Sequence, residues 1–320
     1  MAIDPSLDKI REAETLLRRY FPPTPLVAAP SLSRQGCAAY LKIETGLPTG
    51  SFKPRGALCA LSARLAHGPV TEVVASSTGN HGAAVAWAAK TLGLHARVFL
   101  PANPNPVKRG KIAELGADIV ESGGTDLADA SIQASEYAER LGVYFLNDAT
   151  DADLTAGPAT IGLEVLTQLP AVTAIYVPMG DTALIRGFGA AMKQLAPQVR
   201  IIGVQAAGAP SYVLSWQQGR AVPTETCETC ADGLATRTPE PENVVAIREL
   251  VDDVCLVSEE EMISAIGRLY RDENVVAEPA GAAATAAFLK DTAANGQVVI
   301  LVTGRNLTDE VRQRAGLPTV

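Results

Sequence analysis

Lys53 is the residue whose type and setting best suit covalent chemistry in this sequence. It follows an apolar, strand-like run at residues 38–43 and precedes a run at 57–65 in which leucines recur at helical spacing. The Gly-Ser pair at 50–51 predicts the turn and the N-cap of that helix. Arg55 and the positive end of the helix dipole would depress the pKa of the amine, which suits a Schiff-base lysine. On spacing alone, a solvated lysine near a helix start is the more ordinary interpretation.

The rest of the chain alternates short apolar runs with amphipathic ones. Strand-like runs lie at residues 72–76, 96–100, 119–121, 143–146, 174–178, 200–205, 254–257 and 298–302. Helical runs lie at residues 79–92, 107–115, 127–141, 159–168, 184–195, 259–271 and 280–289. This alternation predicts an α/β fold in which helices cover parallel sheets. The most loop-like segment is 222–243, which is rich in Pro, Thr and Glu.

Composition excludes several classes of protein. The 320 residues include 27 Lys and Arg against 35 Asp and Glu, a net charge of −8, which argues against a nucleic-acid or anionic-membrane binder. No apolar run reaches the roughly 18 residues that a membrane helix needs. The N-terminus has no signal-peptide pattern, so a cytoplasmic protein with reduced thiols is expected. Cys227 and Cys230 form a CxxC pair without a second pair, which supports a metal or redox site only weakly.

The segment around Lys53 carries a specific resemblance. Its residues 49–57, Thr-Gly-Ser-Phe-Lys-Pro-Arg-Gly-Ala, resemble the cofactor-lysine signature of the fold-type II pyridoxal-phosphate enzymes, in particular the threonine and serine dehydratases and serine racemase. The resemblance implies a tryptophan synthase β-like fold with two open parallel-sheet domains. A large domain would comprise 1–52 and 147–320, and a small domain, 53–146, would be inserted into it. Pyridoxal 5'-phosphate would lie in the cleft between them, held as an imine by Lys53.

A second similar segment is residues 76–82, Ser-Ser-Thr-Gly-Asn-His-Gly, which resembles the family's Ser-x-Gly-Asn-His loop. By this resemblance Asn80 contacts the 3-hydroxyl oxygen of the cofactor. Ser77, Thr78 and His81 would hold the carboxylate of the substrate, partly through backbone N–H groups. Serine racemase has a serine where this chain has Thr78, and that serine is its second acid/base. Because the rotamers of a β-branched threonine are restricted, Thr78 favours elimination over racemisation.

The loop after the strand-like run at 174–178 departs most from the family pattern. The dehydratases carry a glycine tetrad there, which cradles the phosphate of the cofactor through backbone N–H groups. The residues predicted to form this cradle are Gly180, Asp181, Thr182, Ala183 and Leu184. Asp181 would repel a phosphate dianion unless it points away, and Arg186 is close enough in sequence to offset it. These substitutions question the identity of the substrate more than that of the cofactor.

The last strand-like run leads into Thr303-Gly-Arg-Asn, which resembles the family's Ser-Gly-x-Asn. Thr303 would face the pyridine nitrogen, and a neutral hydroxyl there dampens the electron sink, which suits β-elimination. Arg305 could bind a second carboxylate of the substrate if it points at the site. The acidic residues that hold a divalent cation in serine racemase are missing from residues 205–211, so no metal is predicted.

These features predict a dehydratase, or ammonia-lyase, with Lys53 and Thr78 as its catalytic side chains. It would convert a small β-hydroxy amino acid such as L-threonine or L-serine to a 2-oxo acid and ammonia. A less usual substrate stays open: phenylserine, 3-hydroxyaspartate or a hydroxyectoine-derived compound. An amino-acid racemase, a threonine-synthase-like enzyme and a non-catalytic amino-acid binder also stay open as functions. A homodimer is expected.

Overall fold

The computed structural model describes residues 4–77, 79–102, 106–123 and 127–318 of the chain. Its strands are β1 (Leu26–Ala28), β2 (Cys37–Ile43), β3 (Glu72–Ser76), β4 (His95–Leu100), β5 (Asp118–Glu121), β6 (Val143–Phe145), β7 (Val172–Pro178), β8 (Arg200–Ala206), β9 (Asp253–Val257) and β10 (Gly296–Val302). Its helices are α1 (Leu7–Leu17), α2 (Pro54–Ala66), α3 (Asn80–Leu92), α4 (Pro106–Glu114), α5 (Leu127–Tyr137), α6 (Ala156–Gln168), α7 (Ala183–Leu195), α8 (Ser211–Gln218), α9 (Pro241–Leu250), α10 (Glu259–Glu273), α11 (Pro279–Lys290) and α12 (Asp309–Arg314). Every helix in these ranges is too short or too polar to span a lipid bilayer.

The larger sheet has six strands in the order β1-β2-β10-β7-β8-β9. Strand β1 is antiparallel to β2, and the other neighbouring strands are parallel. In the pairing of β10 with β2, Val302 lies opposite Ile43, so both strands end at the same edge of the sheet. The segments that lead to Lys53, Thr303 and Gly180 follow β2, β10 and β7. The sheet therefore brings three of the predicted site segments to one edge, where ligands of parallel sheets bind.

The smaller sheet has four parallel strands in the order β5-β4-β3-β6. The loop with Ser77 and Asn80 follows β3, and the chain leaves β6 towards Asp148. Helix α3 packs here through a run of buried alanines, and it ends at Gly93, whose φ of 72° lies in the left-handed region that favours glycine. The domain boundaries at residues 52/53 and 146/147 stay a prediction.

The predicted strands and helices agree with this structure within a few residues. The N-cap prediction was wrong: helix α2 begins at Pro54, its N-cap is Lys53, and Ser51 is buried in a bridge with Gly304. Pro54 is suited to the first helical position because its missing N–H would have no partner there. Four elements, β1, α8, α9 and α12, were not predicted. Helix α9 carried a usable signal, because a proline opens it and Val244, Ile247 and Leu250 are buried at helical spacing.

Candidate active site

Lys53 contacts a carboxylate in the loop that follows strand β6 of the smaller sheet. Its Nζ donates a hydrogen bond to Oδ2 of Asp148, which lies in the loop between β6 and α6. The Nδ1 atom of His81 is 3.9 Å from the same oxygen, and Nε2 of His81 is 2.9 Å from the carbonyl oxygen of Leu146. Burial lowers the pKa of His81, so its imidazole is mostly neutral at pH 7. Lys53 is therefore the cation that compensates Asp148.

The structure contradicts the predicted depression of the Lys53 pKa. Burial lowers this pKa, but the carboxylates of Asp148, Asp181 and Glu278 outweigh burial, so the pKa lies above its ordinary value. The guanidinium of Arg55 is not available to Lys53, because Glu44 and Glu164 bind it in the protein interior. The sequence places these two positive side chains close together, whereas the fold directs them to different carboxylates.

Arg55 anchors the start of α2 through a buried ionic network. Its Nε is 2.8 Å from Glu44 Oε2, and its Nη1 is 2.9 Å from Glu164 Oε1. Lys42 Nζ is 2.6 Å from Glu164 Oε2, and Arg18 donates to the other oxygen of this carboxylate at 2.8 Å. Arg55, Lys42, Glu44 and Glu164 are all buried. Because the network joins β2, α2 and α6, it fixes the helix at whose N-cap Lys53 lies.

Asn80 belongs to a hydrogen-bond group that the sequence analysis did not predict as a unit. Its Nδ2 donates to Glu278 Oε1 at 2.5 Å, and its Oδ1 accepts from Asn306 Nδ2 at 2.5 Å. The backbone N–H of Asn306 donates to the second oxygen of Glu278 at 3.1 Å. Asn306 is the asparagine of the Thr-Gly-Arg-Asn segment, so the motif contained its signal. The group ties the N-terminus of α3 to the end of the larger sheet.

The loop that leads into α7 forms one wall of the site. A Cβ on Gly180 would overlap the carbonyl oxygen of Gly233, so only glycine fits there. Thr182 is the N-cap of α7 with a φ of 69°, a conformation that a β-branched residue adopts only under strain. No side-chain hydrogen bond caps this 13-residue helix, which leaves the backbone N–H groups of its first turn without a side-chain acceptor.

Asp181 turns its carboxylate to Thr236. Its Oδ1 accepts a hydrogen bond from Thr236 Oγ1 at 2.7 Å. Arg186, proposed above to offset its charge, instead donates to Thr182 Oγ1 at 3.1 Å and to the carbonyl oxygen of Ala149 at 2.8 Å. Burial in the first place, and then the nearby charge of Asp148, raise the pKa of Asp181 to about 6. This carboxyl therefore takes up a proton in mildly acidic solution.

One cleft collects most of these groups. Its lining includes the predicted residues Lys53, Asn80, Gly180, Asp181, Thr182, Ala183, Leu184 and Thr303, together with Asp148 and Glu278. Ser77 is not part of this lining; its Oγ accepts a hydrogen bond from the backbone N–H of Gly79 at 3.2 Å. Thr78 lies outside the described residues. Arg305 lines a different cavity, with Lys111 and Arg312.

The cysteine pair lies apart from this cleft's lining. Cys227 and Cys230 are free and partly buried. Burial, followed by Glu259, raises the pKa of the Cys230 thiol to about 12, which makes it a poor thiolate at neutral pH. No group of three or more potential metal ligands occurs in the described part of the chain.

Comparison with known proteins places this chain in a family. Residues 17–304 match the family described as pyridoxal-phosphate dependent enzyme. The chain belongs to this family. The predicted α/β fold class, the family resemblance and pyridoxal phosphate as the cofactor are thereby confirmed.

Several characterised proteins are similar to this chain along most of its length. The chain is 37% identical over 301 residues to an L-threonine ammonia-lyase of Geobacter sulfurreducens. This alignment covers 93% of this chain and 75% of the relative. The chain is 36% identical over 305 residues to an L-threonine ammonia-lyase of Thermotoga maritima, with 94% of this chain and 76% of the relative covered. Among solved structures, maize serine racemase is 29% identical with a TM-score of 0.91, and the alignment covers 99% of this chain and 97% of that one.

The donors of the cleft fit the cofactor of this pyridoxal-phosphate dependent family. The Lys53 amine lies at one side, and the uncapped N-terminus of α7 offers backbone N–H groups that suit a phosphate. The Thr303 hydroxyl is a third donor in the same lining. Asp181 adds a negative charge, but its raised pKa and its hydrogen bond with Thr236 reduce the repulsion that a phosphate would meet. The departure from a glycine tetrad is therefore compatible with phosphate binding.

Proposed function

We propose that this chain is a pyridoxal-phosphate-dependent ammonia-lyase that converts L-threonine or L-serine to a 2-oxo acid and ammonia. The observation that carries the proposal is the cleft itself, which combines the Lys53 amine, the Thr303 hydroxyl and the uncapped start of α7. The two relatives with 36% and 37% identity are both called L-threonine ammonia-lyase, which supports this substrate class.

In this proposal the side chains have distinct roles. When bound, the cofactor supplies the electron sink that makes the α-proton of an amino acid acidic. The first turn of α7 and Gly180 would hold the phosphate, Asn80 would orient the ring, and the Thr303 hydroxyl would be the neutral partner of the ring nitrogen. Lys53 Nζ takes the proton from the α-carbon of the substrate as general base. Backbone N–H groups of the Ser77–His81 loop bind the substrate carboxylate.

The charge of the cleft discriminates among the candidate substrates. Asp148 and Asp181 both line it. A second carboxylate on the substrate would meet these acids, which disfavours 3-hydroxyaspartate. An uncharged β-substituent, as in threonine and serine, meets no such repulsion. Assaying L-threonine, L-serine, 3-hydroxyaspartate and phenylserine for release of 2-oxo acid tests this order, and fastest turnover of 3-hydroxyaspartate would contradict it.

The reaction type is proposed to be elimination. Thr303 is a neutral partner for the ring nitrogen, and such a partner favours departure of the β-hydroxyl over a long-lived carbanion. Thr78 is the residue proposed to limit racemisation. The experiment compares 2-oxo acid with D-amino acid formed from L-serine. A product that is mostly D-serine would favour a racemase and overturn the elimination proposal.

Attachment of the cofactor at Lys53 has its own test. Borohydride reduction of the purified enzyme, followed by peptide mass spectrometry, should place the cofactor on Lys53. Lys53→Ala should abolish both the label and the activity, since the variant lacks the attachment point and the general base. Lys90→Ala is the control, because Lys90 is exposed on the outer part of α3. A label that persists in Lys53→Ala on another lysine would refute the assignment.

The assembly and location of the enzyme are also proposals. We infer a homodimer that works in the cytoplasm and binds neither nucleic acid nor membranes; the net charge of −8 supports the last part, because it disfavours polyanionic partners. Light scattering of the purified protein tests the dimer. A monomeric mass at micromolar concentration would contradict it.

A further inference from the structure

Asp148 is the one carboxylate that Lys53 Nζ contacts directly among the described residues. The two side chains are largely shielded from solvent, at 20% exposed for Lys53 and 17% for Asp148. Asp148 lies 95 positions beyond Lys53, in the loop between β6 and α6, so the fold and not the local sequence creates this pair.

The pair lies among other charged groups that come from several elements. Asp181 from the loop before α7 and Glu278 from the start of α11 also act on Lys53. Burial lowers the pKa of Arg186 in α7 and the charge of Asp148 opposes this, and a charge on His81 in α3 would lower the pKa of Asp148. The Glu278 carboxylate accepts hydrogen bonds from Asn80 and Asn306, and the Asp181 carboxylate accepts one from Thr236. Asp148 therefore has the most direct influence on the protonation and placement of the Lys53 amine.

We propose that Asp148 is the positioning residue of Lys53: it holds the amine at the reacting carbon and stabilises the ammonium that forms when Lys53 takes the α-proton. The inference rests on the proposed function. In this step the Cα–H bond breaks and an N–H bond forms on Nζ, which gives an ammonium paired with the Asp148 carboxylate. The same proton then passes to the departing β-hydroxyl. The electron pair left at the α-carbon forms the Cα=Cβ bond as the C–O bond breaks, water leaves, and Lys53 returns to the neutral amine.

The geometry explains why a carboxylate belongs at this position. A lysine ammonium in a largely buried position is costly without a partner, since burial favours the neutral amine. A carboxylate in hydrogen-bond contact compensates this cost and limits the rotation of the long side chain. His81, 3.9 Å from the same carboxylate, is mostly neutral at pH 7 and leaves the Asp148 charge to Lys53.

The test measures how readily Lys53 is acylated as pH rises. Cofactor-free, full-length protein is treated with trace acetic anhydride between pH 7 and 12, and the modified Lys53 peptide is quantified by mass spectrometry. Asp148→Asn should lower the midpoint of Lys53 labelling by about one to three pH units, the range typical for loss of a close opposite charge. Asp153→Asn is the matched control, because it removes the same charge from the same loop and Asp153 has no described hydrogen bond to Lys53. An unchanged midpoint in Asp148→Asn, or an equal change in Asp153→Asn, would overturn the proposal.

A second variant separates positioning from folding. Asp148→Glu keeps the charge on a side chain one methylene longer, so the labelling midpoint should return towards the wild-type value, while circular dichroism checks that each variant is folded. In the loaded enzyme, the pH at which kcat rises should fall in Asp148→Asn and recover in Asp148→Glu. If Asp148→Glu behaves like Asp148→Asn in both measurements, the charge is not what Lys53 needs and the proposal fails.

The labelling result does not depend on the substrate. If threonine and serine are not turned over but the Lys53 midpoint still depends on Asp148, the proposed substrate fails and the pairing stands. If both substrates are turned over and the midpoint is insensitive to Asp148, the pairing fails and the proposed function stands.

Discussion

Replacing Glu164 by Gln removes one charge from the buried network that anchors Arg55 and the start of α2. The Glu164 carboxylate accepts hydrogen bonds from Arg55, Lys42 and Arg18 at 2.6–3.0 Å. A glutamine cannot compensate the charge of these cations, and its amide NH₂ group would face their N–H groups, which are also donors. Arg55 and Lys42 would then share Glu44 as their buried carboxylate.

The cost of this substitution follows from the pKa of Glu164 and from the behaviour of buried ion pairs. Burial raises the pKa of Glu164, but Arg55 and Lys42 outweigh it, so the pKa falls from an ordinary 4.5 to about 2. At about 1.4 kcal/mol per pKa unit, the ionised carboxylate stabilises the fold by about 3 kcal/mol. Breaking one member of a buried ion pair costs about 3–5 kcal/mol in measured cases. Burial lowers the pKa of Lys42, so Lys42 can lose its proton in the variant, which places the expected cost of Glu164→Gln near the lower figure.

The assay is urea unfolding between pH 2.5 and 8. A carboxyl whose pKa is lowered in the folded state contributes stability that is present above its unfolded pKa and is lost as pH falls towards the folded pKa. The free energies of unfolding of wild type and Glu164→Gln should therefore differ by about 3 kcal/mol at pH 7 and converge between pH 4.5 and about 2. Coincident transitions of tryptophan fluorescence and circular dichroism check two-state behaviour, with Trp87 and Trp216 reporting from α3 and α8.

Glu14→Gln is the matched control for this substitution. Glu14 pairs with Arg18 at 3.2 Å but is 37% exposed, and such pairs contribute about 0–1 kcal/mol. A cost for Glu164→Gln no larger than that of Glu14→Gln would refute the reasoning. A cost that stayed constant down to pH 2.5 would also refute it, because the loss would then not come from the ionised carboxylate.

Three further predictions concern the cleft. Because the pKa of Asp181 is raised to about 6, its ionisation opposes folding as pH rises from 4 through 6. Asp181→Asn should therefore raise the free energy of unfolding by up to about 3 kcal/mol at pH 8 and by little at pH 4. Equal effects at both pH values would contradict this. Gly180→Ala should weaken cofactor affinity about tenfold or more, measured by equilibrium dialysis, because its methyl group would displace the loop against Gly233, while Gly110→Ala, which meets open space, should leave it unchanged. Activity should survive exhaustive EDTA treatment. The reason is that Gln205 lies in the segment predicted above to lack cation ligands, and its amide oxygen accepts hydrogen bonds from backbone N–H groups at the start of α8. A loss of activity that Mg²⁺ restores would contradict this.

Much of the fold could be predicted because it depends on local periodicity. The strands from β3 to β10 and the helices between them, apart from α8 and α9, are marked by apolar runs and helical spacing in the sequence itself. The elements that were overlooked, such as β1 and α8, are three and eight residues long and too short for periodicity to distinguish. The site followed in part, because Gly180 and Thr303 lie within two residues of the ends of β7 and β10, and Lys53 lies in the connection between β2 and α2.

The sequence by itself determined the family and the cofactor, because these depend on contiguous motifs whose local turn and helix geometry are encoded by neighbouring residues. The tertiary structure decided how the charges are paired. Arg55 is two residues from Lys53 in sequence, yet it is bound by Glu164, whereas Lys53 is bound by Asp148 at a separation of 95 residues. The order of the strands brings those loops together, and an electrostatic interaction depends on distance in space and on burial rather than on separation along the chain.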